Sequence, residues 1–289
     1  MTHTFTRYCL AVTALLALAG CSREAPETAV EPEVSAVEAL ADEYLEAVLE
    51  RNPSIGTQLA LEGARHDRLF DNSLEALADW QAREDEWYAR LNAIPQPEDV
   101  GSRDWISYGI LHESLSAGIA SRLCRNELWQ ASGATGWHRG LPFLFEVQPV
   151  DTAEHRDQTL ERLHQVDDYI DTEIANLRLG LESGYSAPRV TVQPVPGQVR
   201  SLIGDDSIFL NPITRADDEE FAAAARAIYD DEIVPALNRF ADFIDETYLE
   251  LAREDIALSA NTDGAECYPL RVRSFTTIQP SAEEIHQTG

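Results

Sequence analysis

Apolar side chains recur at intervals of three and four along almost the whole chain, and no strand-like alternation lasts. The clearest run starts after Asp151 or Thr152, where Leu160, Leu163, Val166, Ile170, Ile174, Leu177 and Leu181 share one stripe. Asp171, Arg178 and Glu182 fall on the wet side, and Gly184 marks the exit. A stripe of that period buries itself as a helix and not as a strand. The fold class expected is therefore all-α, built from long packed helices.

Other stretches follow the same rule. Val37, Leu40, Tyr44, Leu45 and Val48 give a first helix, closed by Asn52-Pro53. A second is predicted from Ser73 to Leu91, with Leu74, Leu77, Trp80, Trp87 and Leu91 inward. A third starts near Ser102 and carries Trp105, Ile106, Ile110, Leu111, Leu115 and Ile119 toward Leu128. The glycine- and aromatic-rich stretch from Ser132 to Pro142 reads as a loop, the first long break in the pattern. Arg189 to Ile203 reads as a shorter element, interrupted near Pro194 and Pro196. Thr214 or Asp217 is expected to cap a long helix through Phe221, Ile228, Leu237, Phe240, Ile244, Tyr248 and Leu251. Pro235 should kink or divide that helix. At the far end Ser281 and Glu284 have capping-box spacing, so the last residues read as an opening helical turn. A chain stopping there leaves an apolar face with nothing to pack against. That suggests the front part of a larger enzyme, cut before its main catalytic segment.

Residues 1–21 read as a lipoprotein signal peptide: Arg7, an apolar run from Leu10 to Ala19, then Leu18-Ala19-Gly20-Cys21. The run is too short for a spanning helix. The ending has the lipobox pattern, with Cys21 as the residue to be acylated and anchored in a lipid bilayer. Ser22 after that cysteine follows the pattern of lipoproteins sorted to an outer membrane, facing the periplasm or the cell surface. Residues 22–35 are acidic and proline-bearing, and are expected to be a flexible tether. Residues 36–289 are the folding part.

The formal net charge is -29, and every basic side chain other than histidine is arginine. A field of that sign repels phosphates, so no nucleic-acid partner is expected. With Cys9 in the signal and Cys21 carrying lipid, only Cys124 and Cys267 remain. A periplasmic setting would allow them to pair, but no spacing supports it, and two buried or semi-buried thiols are the reading preferred.

Recognisable catalytic motifs are missing: no His-Glu-x-x-His, no Gly-x-Ser-x-Gly, no phosphate-cradling glycine loop and no Cys-x-x-Cys. His164 and Asp168 lie four apart but on a polar helix face beside Asp167, which a solvated surface explains. His66 and His155 stand among charges. His138, in the aromatic loop, could face a ligand, whereas Trp137 is expected to pack the loop onto the core. The terminal block is richer. Gly264 permits close approach, Tyr268 offers a phenol, Arg271 and Arg273 are scarce cations, and Thr276, Thr277 and His286 add donors. An arginine fork beside a tyrosine could clamp a carboxylate. Alternatively the arginines pair with local acids and His286 makes a structural hydrogen bond. No catalytic or metal-ligating residue is assigned.

Four segments carry a family resemblance. They are Gly180 to Val190 with Val195, Gln198 and Val199; Gly204 to Phe209 with Pro212; Gly264 to Tyr268; and Thr276-Thr277 with Glu284, Ile285, His286 and Gly289. With them the chain resembles the N-terminal part of the bacterial domain-of-unknown-function 885 family (DUF885), related to helical zinc metallopeptidases. The resemblance implies relatives about twice this length, whose Zn²⁺ motif lies beyond this chain's last residue. It implies zinc-dependent peptide hydrolysis in the whole protein. This chain, with no metal or cofactor of its own, would be inactive alone and would form one wall of the cleft. A peptide substrate and a missing C-terminal half or partner chain follow. Tyr268, Arg273 and His286 match family positions that face substrate. Pro269 and Ile208 depart from the family's usual tyrosine and proline. The competing reading is a non-enzymatic, lipid-anchored helical binding or scaffolding module.

Overall fold

The computed structural model describes residues 34–288, of which those from Ser35 onward form one compact unit. The expected signal peptide, Cys21 and most of the expected tether lie outside the described residues. Helices follow in chain order: α1 (Ala36–Arg51), α2 (Pro53–Gln58), α3 (Leu74–Ala93), α4 (Arg103–Ser121), α5 (Trp137–Val147) and α6 (Ala153–Glu182). Then come α7 (Arg189–Val192), α8 (Val195–Arg200), α9 (Asn211–Arg215), α10 (Glu219–Ile228), α11 (Val234–Phe243) and α12 (Leu249–Leu251). The last two are α13 (Gly264–Thr276) and α14 (Ala282–Thr288). Among the described residues there is no sheet, only an isolated bridge between Pro188 and Arg253. The chain is all-α. None of its described helices is long and apolar enough to cross a membrane.

Side-chain oxygens set the starts of the longer helices α1, α3, α4, α6 and α10 by accepting an otherwise orphaned N–H. The residues are Ser35, Ser73, Ser102, Thr152 and Asp218, in that order. At α14 the capping box closes in both directions: Glu284 N–H donates to Ser281 Oγ at 3.2 Å, and Ser281 N–H to Glu284 Oε2 at 2.7 Å. Gly184, at φ +81°, ends α6 in the left-handed region where a side chain would be strained. Near Pro235 the expected long helix is divided into α10, α11 and α12. A five-residue π-turn, Tyr229–Ile233, precedes the proline, and a second π-turn, Ile244–Tyr248, follows α11. Proline donates no backbone N–H, and a wider turn beside it accommodates the carbonyl left without that donor.

Two apolar clusters form the interior. The larger wraps α6 through Leu163, Val166, Ile170 and Leu177, and meets Phe221, Leu237, Phe240 and Tyr248 of the α10–α12 series. The smaller joins α1, α3 and α4 through Leu40, Ala47, Trp87, Leu91, Leu111 and Leu115. Predicted inward positions Leu45, Ile106 and Ile110 are instead exposed. Periodicity located their helices but was too coarse to fix which edge of each stripe meets a neighbour.

The expected loop from Ser132 to Pro142 is a correction. Residues 137–147 are α5, with Pro142 inside it and Leu144 and Phe145 fully buried. Burying those side chains stabilises by about 1.5–3 kcal/mol each, enough to offset the glycine and proline propensities that signalled a loop. The cysteines are the second correction. Cys124, in the 3₁₀ turn after α4, forms a disulfide with Cys267 in the first turns of α13. Their Cα atoms are 5.0 Å apart although 143 residues separate them, so only helix packing could have shown the pair.

Candidate functional site

A cavity of about 520 Å³ opens between the two clusters, where α3 and the end of α4 face α6. Its floor is positioned by the segment before α3. Arg162 of α6 is fully buried, and its guanidinium donates to Arg68 O (3.0 Å), Arg65 O (3.1 Å), Thr57 Oγ1 (3.1 Å) and Gln148 Oε1. Burial pushes this arginine down to about 10, and neutral acceptors, not a carboxylate, satisfy it. With residues 65–68 thus tied down, Asn72 reaches α6 and donates to Tyr169 O at 3.1 Å and to Glu173 Oε2 at 3.3 Å. Asn176 returns a hydrogen bond to Asn72 O at 2.8 Å.

Glu173 is the unusual group. It is half-buried and lines the cavity, and burial pushes its carboxyl up to about 7, with the Asn72 hydrogen bond opposing. Among the described residues no hydrogen bond reaches Oε1. Tyr169, one turn earlier, also lines the cavity; burial, then the nearby Glu173 charge, raises its phenol above the ordinary range. Trp137 closes that side, edge-on to Phe240 at 5.1 Å, and its buried indole N–H has no partner among the described residues.

On the opposite wall Arg51, the last residue of α1, lies 4.9 Å from the Phe70 ring centre and 4.8 Å from that of Trp80. Desolvation lowers its pKa; it donates to Ala76 O at 3.1 Å and makes no ion pair among the described residues. Glu84, by contrast, is satisfied by Trp80 Nε1 at 2.7 Å and Arg122 Nη2 at 3.1 Å. The cavity therefore combines aromatic walls, one half-neutral carboxyl and one guanidinium with unused donors.

The terminal block lies elsewhere. Arg273 is spent: Nε and Nη2 hold both carboxylate oxygens of Glu113 at 2.8 and 2.6 Å, and Nη2 also reaches Ser116 at 2.6 Å. Tyr268 is 41% exposed on α13, and His286 is exposed on α14. Arg271 stacks on Phe275 and approaches Asn126 at 3.4 Å. Gly264 makes the close approach read from the sequence, since a Cβ there would run into the Leu258 carbonyl. None of Tyr268, Arg273 and His286 lines the cavity.

Zinc does not fit the described residues. No three His, Cys, Asp or Glu side chains converge on a metal position among them. His66 is engaged by Thr57 (2.9 Å), His138 by Gln198 (2.8 Å), His155 by Asp151 (2.7 Å) and His164 by Glu232 (2.9 Å). His164 thus sits on a wet face, as expected. His138 is buried and faces Gln198, while Trp137 packs on the core and also lines the cavity. Sequence reasoning did not find Glu173, Tyr169 or Arg51. The signal was present: Tyr169, Glu173 and Asn176 follow at i, i+4 and i+7, a polar line flanking the apolar stripe of α6.

Comparison with known proteins adds the following. No curated protein matches the sequence. Among solved structures, one described as "the putative lipoprotein from Colwellia psychrerythraea" superposes with a TM-score of 0.71 at 16% identity. The match covers 88% of this chain and 48% of that one, so this chain spans about half the length of that protein. At that identity the likeness is one of fold. Residues 53–289 match the family described as bacterial protein of unknown function (DUF885), and the chain belongs to that family.

Proposed function

We propose that this chain is the substrate-facing helical part of a lipid-anchored DUF885 protein, and that by itself it binds peptide without cleaving it. One observation carries the reading: a cavity of about 520 Å³ with unused hydrogen-bonding groups, in a chain whose described residues bring no metal ligands together. Zinc-dependent peptide hydrolysis belongs to the longer protein in this proposal, and no step of it is assigned to the residues present. Exposed apolar side chains on the packed pair α4 and α13, among them Ile106, Ile110 and Phe275, support a covering surface supplied by the rest of that protein. The anchor proposed is acylated Cys21, in the outer membrane.

The test is to incubate the purified chain with short peptides, follow binding by calorimetry and peptide integrity by mass spectrometry, and measure bound metal. Binding with intact peptide and no stoichiometric zinc is the expected result. Cleavage accompanied by stoichiometric zinc would overturn the claim of inactivity, and absence of any peptide binding would overturn the substrate-facing role. The scaffolding alternative has one observation in its favour. The Cys124–Cys267 disulfide fastens α13 to the end of α4 without any further chain, as a self-standing module requires.

A further inference from the structure

Among the described residues Glu173 Oε1 is an acceptor without a donor, inside a cavity walled by Tyr169, Trp137 and Trp80. The Tyr169 hydroxyl makes no hydrogen bond among the described residues, so it is available beside the carboxyl. An ammonium group meets both needs at once. It donates up to three hydrogen bonds, neutralises a carboxylate, and is attracted to aromatic faces. The chain's net charge of -29 favours entry of a cationic group. Because burial holds the carboxyl near 7, an arriving cation would draw off its proton and gain a charged partner.

Arg51 supplies the opposite sign in the same cavity. Its guanidinium carbon lies 4.9 Å from the Phe70 ring centre and 4.8 Å from that of Trp80, and among the described residues it makes one hydrogen bond and no ion pair. A lone cation such as a polyamine would leave that group unused. A ligand with an ammonium at one end and a carboxylate at the other satisfies both walls. The volume suits a small molecule, since such sites run to roughly 300–1,000 Å³.

Resting on the peptide-binding reading above, we propose that this cavity captures a short peptide by its free α-ammonium on Glu173 and Tyr169, with the peptide carboxylate on Arg51. Neither terminus is recognised by the terminal block. The site selects unblocked ends, so the substrate class is that of oligopeptides a few residues long and not internal segments of folded proteins.

Calorimetry with the full chain decides this, using Ala-Ala-Ala, its N-acetyl form, its C-terminal amide, N-acetyl-lysine amide and maltotriose as probes. N-acetylation is expected to weaken binding about tenfold or more, as is Glu173→Gln; C-amidation and Arg51→Gln are each expected to weaken it severalfold. The two blocked peptides test unaltered protein, so a variant that misfolds does not blunt the experiment. Equal binding of free and N-acetylated peptide would overturn the ammonium assignment while leaving peptide binding intact. Equal binding of the amide would overturn the role of Arg51. N-acetyl-lysine amide binding as tightly as Ala-Ala-Ala would overturn the chain terminus as the source of the ammonium. Maltotriose binding without any peptide binding would overturn both this proposal and the one it rests on.

Discussion

The cavity under α6 and the block from Gly264 to His286 make opposite uses of polar chemistry. The terminal block gathers a tyrosine, two arginines, threonines and a histidine, yet its best-placed cation is consumed by Glu113 and Ser116, and its histidine is solvated. The cavity has fewer suggestive residue types, but Glu173 and Arg51 sit in low-dielectric surroundings with capacity unused. Desolvation without full pairing is what separates a reactive or binding group from a structural one. Residue type alone does not.

The largest test of this contrast concerns how the terminal block is held. Cys267→Ser removes the staple on α13 and should lower stability by about 2–5 kcal/mol in urea unfolding. A loss below about 1 kcal/mol would mean the Arg273–Glu113 pair already secures α13. Next is Glu173, whose carboxyl ionises at about 7 in the folded chain against an ordinary 4.5. The folded state holds the extra proton between those values. The contribution of this group to stability should therefore be greatest below pH 4.5 and fall as pH rises to 7, by about 1–3 kcal/mol. Glu173→Gln should remove that part of the slope and stabilise the chain at pH 8; an unchanged profile would place Glu173 in better-solvated surroundings.

Arg273→Gln is expected to cost about 1–2 kcal/mol, because a two-pronged and partly buried pair is lost, while peptide affinity stays the same. A fall in affinity would restore the terminal block as a binding element. Smallest is His286→Ala, expected to change stability by less than about 0.5 kcal/mol and binding not at all. Any measurable binding defect there would sharpen the case for a second contact surface.

Helix content, the starts of several long helices and the wet faces were legible because they depend on neighbours within a turn or two. Helices α3, α4 and α6 start where they were read, at Ser73, Ser102 and Thr152, whereas α10 is capped by Asp218 and not by Thr214 or Asp217; the stripe from Leu163 to Leu177 is buried as its period requires. The capping box at Ser281 was equally local. Helix α5 was hidden because its glycines and proline speak for the backbone alone, whereas contacts with the larger cluster stabilise it.

Sequence by itself determined an all-α chain and pointed to the family that its residues match. Tertiary structure decided which polar groups matter. Cys124 finds Cys267 across 143 residues, Asn72 reaches Asn176 across 104, and Arg273 finds Glu113 across 160. Helical periodicity records which face of a segment turns inward; it carries no record of which distant segment arrives there, or of whether the polar group it meets brings a partner.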